Sequence, residues 1–166
     1  MAKFKCEFQD YSADLSASGK GELSVDELLE VLRPAALRLK EFYQETIRRR
    51  FKQRTGSLAD SIDIEDYYFR SSGEASIVVK PFGKHKGGSI TRKSRAGSPT
   101  RRYAKHNRAV SAKAISNEEL GYLLENGTPR ISATHWMENA NDEIGNTIQD
   151  MVEQEYDELL KKKGLI

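Results

Sequence analysis

Three histidines are the residues of this 166-residue chain best suited to binding a metal: His85, His106 and His135. Two of them lie in a basic, glycine-containing segment that has no carboxylate nearby in the sequence. Zinc ligands are usually held on rigid elements and oriented by neighbouring acceptors. The sequence therefore predicts no metal site.

Acid–base or nucleophilic chemistry would need carboxylates or a thiol in an enclosed pocket. The carboxylate pairs Glu118–Glu119 and Asp142–Glu143 fall on helix faces that the pattern predicts to be solvated. Cys6 is the only cysteine, so it forms neither an intrachain disulfide nor a thiolate zinc site. No phosphate-loop, dinucleotide-binding or nucleophile-elbow motif occurs. We expect no enzymatic activity, no cofactor and no small-molecule substrate.

Ten cations in residues 83–113 could instead contact phosphates or carboxylates. This segment holds ten of the 27 lysines and arginines and none of the 25 acidic residues. The remaining chain therefore has 17 basic residues and an acidic excess of eight. The ten cations are Lys84, Lys86, Arg92, Lys93, Arg95, Arg101, Arg102, Lys105, Arg108 and Lys113.

With four glycines and few apolar anchors, this basic arm is predicted to be mobile in isolation, because it buries too little surface to offset its ordering entropy. Two interpretations of its charge stay open. It could contact a nucleic-acid backbone without reading sequence, or it could bind an acidic protein surface, including the acidic body of a neighbouring subunit.

The composition indicates one soluble domain with a modest core, since 37% of residues are apolar, 31% are charged and the mean hydropathy is −0.68. No apolar run reaches the length of a membrane span, and the N-terminus does not resemble a signal peptide. The expected location is therefore cytoplasmic. The predicted fold class is α+β, with a small antiparallel sheet packed by a long N-terminal helix and a long C-terminal helix.

The first long helix is predicted over residues 24–54. Ser24 and Glu27 have capping-box spacing, apolar residues recur with helical period, and Pro34 is expected to kink the helix near Arg33. Its last two turns are basic, which suits the carbonyl end of a helix, although phosphate binding is the alternative. These cations are Arg48, Arg49, Arg50, Lys52 and Arg54, after which Thr55 and Gly56 are expected to end the helix.

The β structure is predicted in two places. Residues 1–23 comprise a strand, marked by alternation from Phe4 to Phe8, and a polar linker. Residues 60–82 are predicted to form a hairpin. Pro81 is expected either to end its second strand or to keep that strand at the edge of the sheet. The residues expected to share its apolar face are Ile62, Ile64, Tyr68, Ile77 and Val79.

Residues 116–163 are predicted to form a short helix, a turn and a long closing helix. Ser116 and Glu119 make a second capping box, and Asn126 with Gly127 suit a left-handed C-terminal cap. Thr134 is the predicted N-cap of the closing helix. Trp136, the only tryptophan, is expected to anchor the turn against the sheet.

Two motifs together resemble the phage neck and tail-completion family of minor structural proteins. The first is RTGSLADSI at residues 54–62, and the second is ELGYLLENGTPRISATHWMENA at residues 119–140. The resemblance covers roughly residues 24–160. The matching residues are Thr55, Gly56, Leu58, Ser61 and Ile62 in the first motif, and Tyr122, Glu125, Gly127, Thr128, Trp136 and Ala140 in the second.

The resemblance implies scaffold roles for these residues and a non-enzymatic virion protein of a tailed phage or prophage. Such a protein joins head to tail or completes the tail, commonly as a ring of identical subunits that contacts connector or tail proteins. It would reside in the virion, and in the host bacterial cytoplasm during assembly. The basic arm is longer than the family pattern leads us to expect. The alternative function is a nucleic-acid-binding accessory protein that uses residues 84–113.

Overall fold

The computed structural model describes residues 3–9, 12–18, 23–51, 56–69, 74–83, 116–130 and 132–165. The fold is α+β, as predicted. In chain order the elements are β1 (Lys3–Gln9), β2 (Ser12–Ser18), α1 (Val25–Arg50), α2 (Gly56–Ser61), β3 (Ile62–Phe69), β4 (Glu74–Pro81), α3 (Asn117–Asn126) and α4 (Trp136–Lys163).

The four strands form one antiparallel sheet in the order β1-β2-β4-β3. The register pairs Leu15 with Ile77 and Ile64 with Val79. Leu15, Ile77 and Val79 are buried, and the residues that alternate with them are polar or partly exposed. This alternation is typical of a sheet with one packed face and one solvated face. The hairpin prediction is confirmed, and Pro81 ends the central strand β4 rather than leaving it at an edge.

The prediction of a polar linker after the first strand is wrong, because residues 12–18 form strand β2. Ala13, Leu15 and Ala17 alternate with Ser12, Asp14 and Ser16, and these three apolar side chains are buried. Alanine and serine have weak strand propensity. Pairing on both sides, with β1 and with β4, nevertheless makes this segment an interior strand.

Helix α1 packs against both the sheet and α4. The predicted capping box is present, with Ser24 and Glu27 each accepting the other's backbone amide. The helix continues through Pro34 without a restart and ends at Arg50, earlier than residue 54. Thr55, one of its predicted stop residues, lies outside the described residues, and Gly56 instead begins a further helix.

Helix α2 was not expected, and it moves the start of the hairpin from residue 60 to Ile62. Leu58 and Ala59 are fully buried, and Ser61 Oγ donates to the Leu58 carbonyl at 2.7 Å. The sequence has no helix signal here, and the helical turn is stabilised by the packing of these two side chains into the core. The remaining predicted helices are confirmed as α3 and α4.

The two long helices are joined at one end by an ion pair. Lys163, in the last turn of α4, lies 2.6 Å from the Glu27 carboxylate in the first turn of α1. The Lys163 ammonium and the Ser24 backbone amide lower the pKa of Glu27 from its ordinary 4.5 to about 2. Within the described residues, no helix has the combination of length and apolar content that a bilayer crossing needs.

Candidate functional site

The second motif forms the junction between α3 and α4, and Glu125 is at its centre. Glu125 is 4% exposed, and its carboxylate accepts the backbone amides of Met137 at 2.8 Å and Glu138 at 3.1 Å. These amides belong to the first turn of α4, where helix donors have no intrahelical partner and the dipole favours a negative charge. Glu125 thus caps a helix that begins eleven residues after it.

The predicted cap, Thr134, has a different role. Its hydroxyl donates to the Leu124 carbonyl at 2.6 Å, and its amide donates to the same carbonyl at 3.0 Å. The N-cap position belongs to His135, which has a left-handed backbone with φ of 45° and makes no side-chain cap bond. The Thr134 prediction is wrong because its hydroxyl is bonded to the Leu124 carbonyl, and a buried carboxylate from α3 accepts the first-turn amides of Met137 and Glu138.

Trp136 is fully buried and links this junction to the first long helix. Its ring meets Tyr43 of α1 edge to face, with centroids 5.6 Å apart, and its Nε1 donates to the Gly121 carbonyl of α3 at 3.4 Å. Tyr43 in turn donates to Asn141 Oδ1 in α4. Trp136 of α4 thus contacts α1 and α3, and it belongs to the same buried cluster as the sheet residues Leu15 and Ile77.

Most of the remaining motif residues that the structure describes also serve the fold. Leu58, Ile62 and Ala140 are buried. Gly127 has a φ of 76°, which favours glycine, and Thr128 Oγ1 accepts the Arg130 amide at 3.2 Å. Gly127 caps α3 with extended ψ rather than in the left-handed helical region that was expected. Tyr122 differs from the others because its side chain is 46% exposed.

One group at this junction has metal-ligand residue types. Ligand atoms of Glu125, His135 and Glu138 lie within 4.8 Å of one another. Both Glu125 oxygens already accept helix amides, and His135 Nδ1 lies 3.1 Å from the Glu138 carboxylate. The positive end of the α4 dipole also disfavours a cation here. The arrangement is therefore accounted for as a helix cap with a surface contact between His135 and Glu138 beside it.

A surface cleft of about 220 Å³ lies between α1 and α4, away from the motifs. Its lining combines carboxylates with one lysine and two aliphatic side chains: Glu30, Val31, Glu155, Glu158, Leu159 and Lys162. None of these belongs to either motif. Neither motif therefore lines this cleft.

The basic end of α1 is engaged within the fold. Arg48 pairs with Asp60 at 2.8 Å, Arg49 with Glu143 at 3.5 Å, and Arg50 donates to the Thr134 carbonyl at 3.3 Å. Lys52 and Arg54 lie outside the described residues. These contacts favour a structural role for the three arginines over phosphate binding.

All ten predicted contact residues of the basic arm, from Lys84 to Lys113, lie outside the described residues, whereas Gly83 and the residues from Ser116 onward are described. The Asn117 amide donates to the Gly83 carbonyl at 2.9 Å, and the Asn117 side chain donates to the Phe82 carbonyl at 2.7 Å. The residues that flank the arm are therefore adjacent in the fold.

The acidic excess of the body includes an exposed acidic stripe on α4. Asp142, Asp150, Glu153 and Asp157 are exposed, recur with helical spacing and lie opposite the buried face of the helix. Within the described part of the chain, no cation pairs with any of the four. At 1.5 Å per residue the stripe is about 22 Å long.

Sequence reasoning missed Glu125 as a cap and Asn141 as a buried partner. Asn141 had a signal, since it falls within the apolar stripe of α4 with Met137, Ala140 and Ile144. Comparisons of the chain with known protein families, with curated proteins and with solved structures find no match.

Proposed function

We propose that the chain is a non-enzymatic virion protein of a tailed phage or prophage that joins head to tail or completes the tail. The observation that carries the proposal is the use of the two family-like motifs as scaffold. Leu58, Ile62 and Ala140 contribute to the core, while Glu125 and Trp136 hold three helices together. These are the roles expected of a structural subunit.

The charge distribution supports assembly as a ring of identical subunits. The basic arm and the acidic stripe of α4 are complementary surfaces on one chain. Complementary patches at different places on a subunit give head-to-tail contacts, which close into a ring when the rotation allows. The arm contacts a neighbouring subunit or the DNA that passes through the ring.

The proposed partners are further copies of the chain and the connector or tail proteins of the particle. The proposed location is the virion, with assembly in the host bacterial cytoplasm. No membrane, cofactor or small-molecule substrate enters this proposal.

Sedimentation velocity over a range of concentrations, followed by electron microscopy, tests it. We expect a concentration-dependent species of defined size that forms rings, alone or with purified connector or tail-tube protein. Monomers at every concentration, with and without these partners, would contradict the proposal.

The nucleic-acid-binding alternative rests on the ten uncompensated cations, and a DNA-binding assay separates it from assembly. It predicts an affinity that falls steeply with salt and is lost when residues 84–113 are deleted. Binding that is weak and independent of the arm would remove this alternative.

A further inference from the structure

The four-stranded sheet has two outer strands, β1 and β3. Within the described residues, each pairs with a strand on one side only. Unpaired strand edges present rows of peptide donors and acceptors that readily accept another strand, and proteins usually protect them with lysine, proline or a covering element. The sequence of β3, IDIEDYYF, contains neither lysine nor proline.

The first half of the β3 edge is capped by side chains. Gln44 Nε2 donates to the Ile62 carbonyl at 3.3 Å, and the Ile64 amide donates to Asp63 Oδ1 at 2.9 Å. Both peptide groups therefore point away from β4. Because peptide groups alternate in direction along a strand, those of Asp66 point the same way. Within the described part of the chain, no group pairs with the Asp66 amide or carbonyl.

Strand direction makes the two edges of the sheet compatible. All three pairings are antiparallel, so β1 and β3 run in opposite directions. A second copy rotated about an axis along the strands keeps its β1 direction, and that strand would lie antiparallel to β3 of the first copy. Because the sheet has an even number of strands, the alternation of strand direction continues unchanged across the contact between the two copies.

Charge favours the same pairing. Strand β3 carries three acidic residues and no basic ones, whereas β1, KFKCEFQ, carries Lys3 and Lys5 against Glu7. Asp63 and Asp66 already pair with Lys40 and Arg33 of α1. Glu65, which accepts the Tyr67 hydroxyl at 2.6 Å, is the acidic residue of β3 that no cation among the described residues pairs with.

We infer that the open part of the β3 edge, from the Ile64 carbonyl to Phe69, binds strand β1 of a second copy and extends the sheet from subunit to subunit. The inference deepens the proposed function and rests on it in taking the partner to be an identical chain. Repetition of this contact places the helices of every subunit on one side of a continuous sheet, which is a geometry that can close into a ring.

The single native cysteine allows a direct test, because Cys6 lies on β1. Within one chain, β1 and β3 are three strand spacings apart, about 14 Å. A disulfide joins Cα atoms only about 4.4–6.8 Å apart. A disulfide from Cys6 to a new cysteine on β3 must therefore join two copies.

The variants are Ile64→Cys and Asp66→Cys, because the register aligns Cys6 with Leu15, Ile77 and Asp66 and so places these positions on one face of the sheet. The controls are Glu65→Cys on the opposite face of β3 and Glu45→Cys on exposed α1 surface. After oxidation of the assembled protein, we expect at least one of the two variants to give a ladder of covalent multimers on a non-reducing gel, and the controls to give none. Rings that form without a ladder above the control would overturn this inference and leave the proposed function standing. A ladder from filaments that stay open and never form rings would support this inference and contradict the proposed function.

A ladder that appears only after deletion of residues 84–113 would show that the arm of the same chain occupies the edge, and would also overturn the inference. Persistent monomers in every variant would overturn both proposals.

A charge reversal provides an independent measurement on the assembled protein. Glu65→Lys should raise the dissociation constant about twofold to fivefold, from the usual strength of one cross-strand charge pair. Glu45→Lys makes the same charge change on α1 and should leave the constant unaltered. Adding Lys5→Glu to Glu65→Lys should restore assembly, and an equal loss in the double variant would contradict the pairing.

Discussion

Removing the Glu125 carboxylate should destabilise the protein far more than removing any exposed carboxylate. Glu125 is buried and accepts two amides at the start of α4, at 2.8 and 3.1 Å. A hydrogen bond to a charged group contributes about 1.5–3 kcal/mol. Glu125→Gln keeps one acceptor oxygen but loses the charge and one bond, so we expect a loss of about 1.5–3 kcal/mol in the free energy of unfolding.

Glu125→Ala leaves both amides without an acceptor and opens a small cavity, so its expected cost is about 3–5 kcal/mol. The matched controls are Glu138→Gln and Glu138→Ala, because the Glu138 side chain is 68% exposed and, in the part of the chain that the structure describes, contacts only His135. These should cost less than about 0.5 kcal/mol.

Urea unfolding at pH 7, followed by the fluorescence of the only tryptophan, measures all four variants. For a chain of this size the Glu125→Gln midpoint of thermal unfolding should fall by roughly 5–10 °C. If Glu125→Gln and Glu138→Gln cost the same, Glu125 does not cap α4 and the reasoning about this junction is refuted.

Three further predictions concern contacts away from this cap. Tyr43→Phe should lower the free energy of unfolding by about 1–3 kcal/mol, because Asn141 Oδ1 loses its donor. In a double-mutant cycle, Tyr43→Phe combined with Asn141→Leu should cost less than the sum of the two single changes, and strict additivity would contradict the buried pair. Because the pKa of Glu27 is low, its ion pair with Lys163 stabilises the protein above pH 4.5, and this stabilisation is lost as pH falls towards 2. The difference in free energy of unfolding between the native chain and Lys163→Met should therefore shrink over that interval, and a constant difference would contradict the ion pair. Replacing residues 84–113 by a short glycine–serine linker should leave the circular dichroism spectrum that of a folded domain, because Gly83 and Asn117 are already in contact. The shorter loop should raise the free energy of unfolding by up to about 2 kcal/mol, and loss of cooperative unfolding would contradict this prediction.

The parts of the fold that the sequence predicts are those written in local patterns. Helices α1 and α3 begin at Ser24 and Ser116 because each serine and the glutamate three residues later satisfy two amides without help from elsewhere. The hairpin strands follow from β-branched and aromatic residues with period two.

The parts that the sequence does not predict depend on distant residues. Strand β2 is built from alanine and serine, and only its pairing with β1 and β4 makes it a strand. Thr134 is of a residue type that favours a helix N-cap, yet Glu125 takes that role from another helix. Local rules cannot identify a cap that is supplied across a turn by a buried side chain.

Electron microscopy of the concentrated protein, with single-particle averaging, tests the central claim most directly. The account predicts closed rings with one rotational symmetry, in which the sheets of neighbouring subunits are joined edge to edge. Particles that stay monomeric at every concentration, with and without connector or tail-tube protein, would contradict it.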